Sequence, residues 1–572
     1  MAKTLTVTCK NDGKQYEFPS GTTLKEFSDR CCTEVRDSKT GTVFPVFAAL
    51  VDHKLKELSY EMFYNHEVTF IGYNHPDGRR TYFRSLEFVL QHAARQLWPD
   101  KVLVIDHCLP SGFFCEIVEP RLDEEGRMIP CPLNVAEISV LQVKMQEVVE
   151  ADLPISKVKM IAEEACSLFE SNHQPNKADL IRSLGRYFCS VYYLDGMADS
   201  FYGPMVPSTG FLKVFRLFPF SNGFCLQYPE AIDPTRLIPI KPQAKLSETF
   251  RKYSEWCFVN GIFGVGSLNR RLLAGEAVPL INICEARHER KYAEIADRIF
   301  AEKERIKIVF IAGPSSSGKT STSHKLCLEL LAHGKQPVAL SLDNWYVNGD
   351  RTPLKEDGTK DYESVYAIDL KQLEADLTAL IAGKEIALPT FNFAEERREY
   401  PGETLRLEPE TIMVIEGIHA LNPILTEHIA PSHKYKVYAA PMSPVSLDGE
   451  RWVPTYVHRL LRRMSRDLRT RGKSPQTTIA SWPSVIEGEA QWIEPFRKEA
   501  DAEFDTTMLY ELPALRLTVE TALQTVPARS DEYQVAEQLL YYLSFFESMA
   551  SAFVPRTSIL REFIGGSQFN VG

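Results

Sequence analysis

The stretch IKIVFIA-GPSSSGKT, residues 306–320, decides the fold of the C-terminal part of this chain. Its first seven residues are almost all apolar or β-branched, which is typical of a strand buried on both faces of a parallel sheet. The next eight match the pattern G-x-x-x-x-G-K-[ST], and a helical pattern follows them. Such a loop curls its backbone N–H groups inward at a helix start, where anions bind. The stretch therefore predicts a loop that binds the phosphates of a nucleoside triphosphate.

The side chains of this loop have separable expected roles. Lys319 adds a mobile positive charge for the β- and γ-phosphates, and Thr320 offers a hydroxyl to Mg²⁺. The alternative to a nucleotide-binding loop is an ordinary surface loop of serine and glycine. The residues expected to bind the nucleotide are Gly313, Ser315, Ser316, Ser317, Gly318, Lys319, Thr320 and Ser321.

Two further apolar runs, at 337–340 and 411–415, alternate with a helical leucine pattern. Alternation of strands and helices predicts an α/β fold with a doubly wound parallel sheet, whose sites form at the carboxyl ends of the strands. Asp343 follows one of these runs and Glu416 ends the other. Asp343 could accept a proton from a substrate hydroxyl, or could only cap a helix. Glu416 could hold Mg²⁺ directly or through water.

Residues 459–473 form a strongly basic helical stretch. Seven of these fifteen residues are basic, and within the stretch only Asp467 offsets them. The stretch is either a solvated charged face or a mobile lid that clamps phosphates. We favour the lid, because the positive charge exceeds what solubility requires.

Composition excludes several classes of protein. The chain has 572 residues, a net charge of −11 and 44% hydrophobic residues, so it has no global basic field for binding nucleic acid. No apolar run reaches the length of a membrane span, and the first residues lack the apolar core of a signal peptide. The 12 cysteines contain no CxxC pair, which is typical of reduced thiols. We expect a cytoplasmic protein that binds no membrane and has no general affinity for nucleic acid, and a local basic patch stays open.

Six motifs, in this order, resemble the uridine kinase/phosphoribulokinase family of P-loop kinases, and most closely uridine–cytidine kinases. They are GPSSSGKT at 313–320, SLDNWY at 341–346, LPTFNF at 388–393, VIEGI at 414–418, RRMSRDLRTRG at 462–472 and EPF at 494–496. The resemblance implies a phosphotransferase that moves the γ-phosphate of ATP to the 5′-hydroxyl of a nucleoside, in pyrimidine salvage. ATP and Mg²⁺ are the implied cofactors.

The resemblance also implies roles for individual residues. Asp343 falls on the catalytic base, with Lys319 and Arg466 beside the transferred phosphoryl group. Thr320 and Glu416 fall on the magnesium positions, and Glu363 falls on an acid that binds the ribose hydroxyls. The further implied substrate residues are Tyr346, Tyr362, Phe391, Phe393, Glu396, Arg398, Arg463, Arg471 and Lys473.

Two departures from the family pattern bear on specificity. Phe391 stands where a tyrosine is typical, and Glu396 stands where a histidine is typical. A carboxylate accepts hydrogen bonds where an imidazole could donate, so the base preference can differ. An insertion at 443–454 also lengthens the approach to the basic stretch.

The N-terminal half carries a second resemblance. Residues 1–70 resemble a TGS domain, and residues 72–235 resemble the editing-type second domain of threonyl-tRNA synthetases, on Ser85, GFF at 112–114 and GPMVPSTG at 203–210. At the zinc positions of that family this chain has His92, Gln96, Phe201 and Met205. One ligand of four cannot hold Zn²⁺, so no zinc is expected.

These observations predict five segments. They are a β-grasp-like TGS domain at 1–70, an α+β editing-like domain at 72–235, a connector at 236–300, a P-loop nucleoside kinase domain at 301–520, and a C-terminal helix and tail at 525–572. The last helix could pack on the kinase or join two copies of the chain. Two other functions remain open: a kinase of the same superfamily acting on another hydroxyl, such as a sugar phosphate or pantothenate, and an RNA- or ribosome-linked NTPase.

Overall fold

The computed structural model describes residues 4–37, 40–109, 112–122, 128–231, 233–239, 244–302, 305–356, 358–393, 395–443 and 445–571. The chain divides into two compact units. The N-terminal unit consists of Met1–Ala274, Val445–Val453 and Val526–Phe546. The C-terminal unit consists of Gly275–Pro444, Pro454–Thr525 and Glu547–Gly572.

The C-terminal unit is built on a five-stranded sheet in which every neighbouring pair is parallel. Its spatial order is Gln336–Ser341, Thr411–Glu416, Ile308–Ala312, Lys434–Ala440 and Ala502–Asp505. The central strand is fully buried along its length, as a strand covered by helices on both faces must be. The predicted α/β fold with a parallel sheet is therefore confirmed.

Eight helices accompany this sheet within the described part of the C-terminal unit. They are Ala277–Ala301, Lys319–Ala332, Leu370–Ile381, Pro423–Thr426, Thr455–Thr470, Pro475–Trp492, Glu511–Leu523 and Arg561–Ile564. Two small antiparallel pairs lie between the second and third strands in sequence. They are Ile386–Ala387 with Thr404–Leu405, and Thr390–Asn392 with Arg397–Glu399. We call Lys319–Ala332 the loop helix and Thr455–Thr470 the basic helix.

The N-terminal unit begins with a mixed five-stranded sheet. Its order is Lys14–Pro19, Thr4–Cys9, Glu67–Ile71, Ala48–Val51 and Lys54–Glu57. The first helix, Leu24–Cys31, starts with a capping box in which Thr23 and Glu26 satisfy each other's backbone N–H groups. Glu34–Arg36 and Val43–Pro45 form a separate antiparallel pair.

Two more sheets complete the strands described in this unit. One contains Met128–Pro130, Gly112–Leu122, Gly223–Gln227 and Arg216–Phe220, with Val102–Leu109 also paired to the second of these. The other contains Ile155–Ile161, Phe188–Leu194 and Met197–Asp199. The helices that accompany them are Pro76–Leu97, Val135–Glu150, Ala162–Ser171, Pro175–Ser183, Ala244–Val259, Val265–Leu273 and Tyr533–Leu543.

The insertion foreseen at 443–454 supplies the Val445–Val453 segment of the N-terminal unit. Its Arg451 donates to the buried carboxylate of Asp199 at 2.6 Å, and Lys177 contacts both Asp199 and Glu450. Each of these buried charges thus has a partner of opposite sign. The pairing avoids the free-energy cost of an unpaired buried charge. The segment is thus held in the N-terminal unit by ionic contacts that its own short sequence does not reveal.

Candidate active site

The phosphate-binding loop has the backbone geometry that its glycines allow. Gly318 has φ +89°, in the left-handed region. Gly313 passes so close to the neighbouring strand that a Cβ there would lie 1.9 Å from the carbonyl oxygen of Ala439. Both positions therefore require glycine. The buried hydroxyls of Ser316 and Ser317 have no hydrogen-bond partner among the described residues, which leaves them free to donate to a phosphate.

Lys319 lies at the first turn of the loop helix, close to several acids. Its Nζ donates to the carbonyl oxygen of Pro314 at 3.1 Å. Burial lowers the pKa of Lys319, and the carboxylates of Glu416, Glu562 and Asp343 oppose that shift. The structure therefore brings the predicted lysine and both predicted carboxylates into one electrostatic environment.

Thr320 and Glu416 form the candidate magnesium position. The hydroxyl of Thr320 donates to the carboxylate of Glu416 at 3.3 Å. Mg²⁺ prefers oxygen ligands and is commonly held by one or two protein groups together with phosphates and water, so these two side chains fit it. Burial raises the pKa of Glu416 to about 7, although the charge of Lys319 opposes the shift.

Asp343 lies in the short 3₁₀ helix Leu342–Trp345, directly after the strand Gln336–Ser341. Ser341 is the register partner of Glu416, the last residue of its strand, so the two acids lie at the carboxyl ends of neighbouring strands. Burial raises the pKa of Asp343, while Lys319 and the hydroxyl of Tyr346 oppose the shift. A carboxyl group with a raised pKa beside a lysine is suited to accept a proton from a hydroxyl.

The basic helix is anchored in the unit, which differs from the mobile lid expected from the sequence. Arg462 is fully buried and donates to Glu511 at 2.7 and 2.5 Å. Arg459 forms a buried two-bond pair with Glu489. Both acids lie on later helices, so the sequence of the basic stretch alone showed only Asp467 as a counter-charge.

The other basic residues divide between the loop and the surface. Nη1 of Arg463 donates to the hydroxyl of Ser315 at 2.7 Å, which joins the helix to the phosphate-binding loop. Arg466 and Arg471 are close enough to Asp343 for their charges to oppose the raising of its pKa by burial. Arg471 also donates to Asp467 at 3.1 Å, and Lys473 is exposed.

Four aromatic residues expected near a substrate form one cluster. The ring of Tyr346 lies 5.5 Å from that of Phe391, 6.2 Å from that of Tyr362 and 6.2 Å from that of Phe393. Phe391 and Phe393 are themselves 5.1 Å apart. Phe391 is buried, whereas 62% of Phe393 is exposed. An exposed aromatic ring beside a buried cluster offers a planar base a surface to pack on.

Glu363 approaches this region from the loop before Leu370–Ile381. A Cβ at Gly488 would lie 2.5 Å from the Cβ of Glu363, so glycine at that helical position makes room for the carboxylate. Burial raises the pKa of Glu363, and the charge of Arg463 opposes the shift. The carboxylate is therefore placed within the influence of an arginine that contacts the phosphate-binding loop.

Two predicted substrate residues are occupied by protein partners. Glu396 forms an ion pair with Lys360 and accepts a hydrogen bond from the hydroxyl of Tyr362 at 2.8 Å. Arg398 donates to Asp369 at 3.0 Å. Glu396 therefore reaches the aromatic cluster through Tyr362. Arg398 stabilises the start of the helix Leu370–Ile381, because its partner Asp369 caps that helix.

One further acid near the loop is marked by no motif in the sequence. Glu562 is buried and accepts hydrogen bonds from the backbone N–H and the hydroxyl of Ser321, at 3.2 and 2.8 Å. The side chain of Ile559 lies against Gly318, where a Cβ would approach it to 2.5 Å. A segment beyond every recognised motif thus contacts the phosphate-binding loop.

In the N-terminal unit, we also located the four residues that stand at the zinc positions of the synthetase family. Nε2 of His92 lies 2.9 Å from the amide nitrogen of Gln96. Phe201 and Met205 are buried in the hydrophobic core. The absence of zinc stays a prediction.

Comparisons with known proteins agree with the kinase resemblance and with the threonyl-tRNA synthetase resemblance. The model of the phosphoribulokinase/uridine kinase family matches residues 308–511. A uridine kinase of Lactobacillus helveticus is 31% identical over 195 residues, which are 34% of this chain and 83% of that protein. A threonine–tRNA ligase of Acetivibrio thermocellus is 25% identical over 214 residues, which are 37% of this chain and 31% of that protein.

Matches to threonine–tRNA ligases fall on the N-terminal region, as the second resemblance predicts, whereas a TGS domain stays a prediction. Among solved structures, a possible uridine kinase from Bacillus stearothermophilus covers 38% of this chain and 98% of its own, at 20% identity and a TM-score of 0.26. Among the described residues, no helix is both long and apolar enough to cross a membrane.

Proposed function

Because this chain belongs to the phosphoribulokinase/uridine kinase family and is a phosphotransferase that acts on an alcohol group, we propose that its acceptor is the 5′-hydroxyl of a nucleoside. The observation that carries the proposal is that Tyr346 of the aromatic cluster feels the charges of both Asp343 and Glu363. Lys319 of the phosphate-binding loop acts on the same two acids. The cluster suits a planar base, and Glu363 suits the hydroxyls of a ribose. A sugar phosphate would instead require additional cationic contacts.

Within this proposal the chain's own residues act mainly by position and charge. Asp343 accepts the proton of the 5′-hydroxyl as that oxygen attacks the γ-phosphorus of ATP. Lys319 and Arg466 stabilise negative charge on the transferring phosphoryl group, because both cations are shielded from water and their charges are weakly screened there. Arg463 holds the basic helix to Ser315 and keeps the cations over the loop.

Thr320 and Glu416 would hold Mg²⁺, which neutralises charge on the β- and γ-phosphates when it is bound. Their contact at 3.3 Å brings a hydroxyl and a carboxylate together at the start of the loop helix. Glu416 must be ionised to serve as a ligand, so its raised pKa makes this function sensitive to pH near neutrality.

Base preference follows from Glu396 and its partners. The carboxylate is held by Lys360 and Tyr362, and those hydrogen bonds lower the pKa of Glu396. It therefore stays an acceptor, and the second lone pair on each of its oxygens favours a base edge that donates a hydrogen bond. We place the reaction in pyrimidine salvage in the cytoplasm, where the free cysteines of the described residues would stay reduced.

One assay separates this proposal from the alternatives. ADP release would be measured with ATP plus each of uridine, cytidine, adenosine, guanosine, pantothenate, ribulose 5-phosphate or tRNA. We expect a pyrimidine nucleoside to stimulate ADP release most. Stimulation only by ribulose 5-phosphate or pantothenate would refute the nucleoside assignment, and stimulation only by tRNA would favour an RNA-linked NTPase.

A further inference from the structure

The N-terminal unit contains a cavity of about 800 Å³ that no recognised motif of the phosphotransferase explains. Its walls come from the strand Lys54–Glu57, the helix Pro76–Leu97, the strand Ile155–Ile161 and the helix Tyr533–Leu543. Ligand pockets of proteins commonly occupy 300–1,000 Å³, so this cavity is large enough for a small organic ligand.

Positive charge dominates the cavity. Seven lysine and arginine side chains line it, against three carboxylates, although the whole chain has a net charge of −11. Each carboxylate already contacts a cation of the same cavity. The pairs are Asp77 with Arg80, Glu57 with Lys157, and Glu537 with Lys54. The other four cations, which are Lys56, Arg84, Lys159 and Arg186, form no ion pair with these carboxylates, so the cavity keeps an excess of positive charge.

Lys56 and Lys159 supply half of this excess. Neither forms an ion pair with any residue that the structure describes. Burial lowers the pKa of Lys56, and the nearby ammonium groups of Lys54 and Lys157 lower it further, while the charges of Glu537 and Glu57 oppose the shift without reversing it. Clustered ammonium groups of this kind repel one another, and the two carboxylates among them, Glu57 and Glu537, do not balance all of the positive charge.

Arg84 adds a preorganised donor at the cavity wall. Its Nε and Nη2 both donate to the carbonyl oxygen of Pro204, at 3.1 and 2.9 Å, and Nη2 also lies 3.3 Å from the hydroxyl of Thr81. Its Nη1 has no hydrogen-bond partner within the described part of the chain. A guanidinium that is held in place through two of its nitrogens, and whose third nitrogen can still donate, is suited to bind a phosphate oxygen.

Aromatic rings border the cationic wall. Tyr202 and Tyr541 pack edge-on against Phe545, with ring centroids 4.8 and 5.0 Å away, and all three line the cavity. The guanidinium of Arg186 lies over the Phe545 ring at 5.6 Å. This combination of cations and aromatic rings matches a ligand that has both phosphate groups and a planar ring.

We propose that this cavity is a second nucleotide site, which takes a free nucleoside di- or triphosphate. The phosphates lie on Lys56, Lys159 and Arg84, and the base packs on the cluster of Tyr202, Tyr541 and Phe545. The site is distinct from the phosphate-binding loop, because every residue that lines it belongs to the N-terminal unit.

The test measures binding to the full chain in which Lys319→Ala weakens the phosphate-binding loop. Isothermal titration would be performed with ATP, GTP, CTP, UTP and inorganic triphosphate, without an acceptor nucleoside. We expect one nucleotide to saturate a single site below about 1 mM. Failure of every nucleotide to bind would overturn the proposal, and it would leave the kinase assignment untouched because no phosphoryl transfer is measured.

A second set of variants locates the binding. Adding Lys56→Ala and Lys159→Ala should weaken the dissociation constant at least tenfold, and these changes leave no carboxylate unpaired. Lys213→Ala, an exposed lysine of the same unit outside the cavity, is the matched control and should leave the constant unchanged. Equal constants for the double variant and the control would contradict the site. Inorganic triphosphate that binds as tightly as the nucleotide would contradict the role of the aromatic cluster.

Discussion

The carboxylate of Glu562 accepts hydrogen bonds from the N–H and the hydroxyl of Ser321, in the first turn of the helix that begins with Lys319. The N–H groups at such a helix start are the donors that bind phosphate oxygens in loops of this type. An acid 241 residues further along the chain therefore occupies donors that a nucleotide could use. Its charge also opposes the lowering of the pKa of Lys319.

Replacing this acid should improve nucleotide binding. Glu562→Gln keeps a hydrogen-bond acceptor but removes the negative charge that competes with phosphate, so we expect the dissociation constant for ATP to fall about three- to tenfold. Calorimetry with ATP measures it, and Glu427→Gln, an exposed acid of the same unit, is the control. An unchanged or weakened affinity would show that Glu562 supports the loop rather than competing at it.

Magnesium dependence should vary with pH because of Glu416. Burial raises the pKa of this acid to about 7, so its ionised form is lost as the pH falls through that value. Protons then compete with Mg²⁺, and the half-saturating Mg²⁺ concentration should rise severalfold, at most about tenfold, from pH 8 to pH 6. Thr320→Val should raise the half-saturating Mg²⁺ concentration at both pH values. That concentration should still rise as the pH falls from 8 to 6. A flat profile in the wild-type protein would exclude Glu416 as a titrating ligand.

The carboxylate of Glu363 should distinguish ribose from deoxyribose. If it accepts from the ribose hydroxyls, Glu363→Ala should lower kcat/KM for uridine by about tenfold or more, and should affect 2′-deoxyuridine less. Steady-state kinetics with both nucleosides gives the ratio. Phe393→Leu removes only aromatic contact and should lower both values alike. Equal losses for the two nucleosides in Glu363→Ala would contradict the role of this acid in binding the ribose hydroxyls.

The buried pair of Arg462 and Glu511 should dominate the stability of the basic helix. Both side chains are fully buried, and removing the arginine leaves the carboxylate without its main counter-charge, at a cost of about 3–5 kcal/mol in the free energy of unfolding. Denaturant unfolding of Arg462→Met measures it. Arg471→Met, whose parent side chain is about half exposed, should cost at most about 1 kcal/mol.

The same pair predicts a response to acid. Burial alone would raise the pKa of Glu511, but Arg462 and His458 reverse that shift and lower it to about 2. An acid with a lowered pKa stabilises the fold above its unfolded value and loses that contribution as the pH falls through its folded value. The difference in unfolding free energy between wild type and Glu511→Gln should therefore shrink between about pH 4.5 and 2. A constant difference over this range would refute the pairing.

The parallel sheet could be predicted because its strands are marked locally. The run at 308–312 is fully buried and apolar, and the glycine pattern that follows it fixes the strand–loop–helix unit. Asp343 and Glu416 could be placed at one edge because both follow such runs. These features depend on neighbouring residues, so the sequence contains them directly.

Contacts between distant segments could not be predicted in this way. Glu489 and Glu511 neutralise Arg459 and Arg462 from helices 30 and 49 residues away, which turns an expected mobile lid into an anchored helix. The partners of Glu396 and the contact of Glu562 with Ser321 arise from the same cause. No local pattern marks them, because each acid is unremarkable in its own segment.

The most direct test of the kinase mechanism is the turnover of Asp343→Asn. ADP release would be measured with saturating ATP and the best acceptor nucleoside, and calorimetry would give the ATP affinity of the same variant. Loss of the base that accepts the 5′-hydroxyl proton should lower turnover by about a hundredfold or more, with ATP affinity within about threefold of wild type. Near-normal turnover in Asp343→Asn would contradict the assignment of this residue as the base.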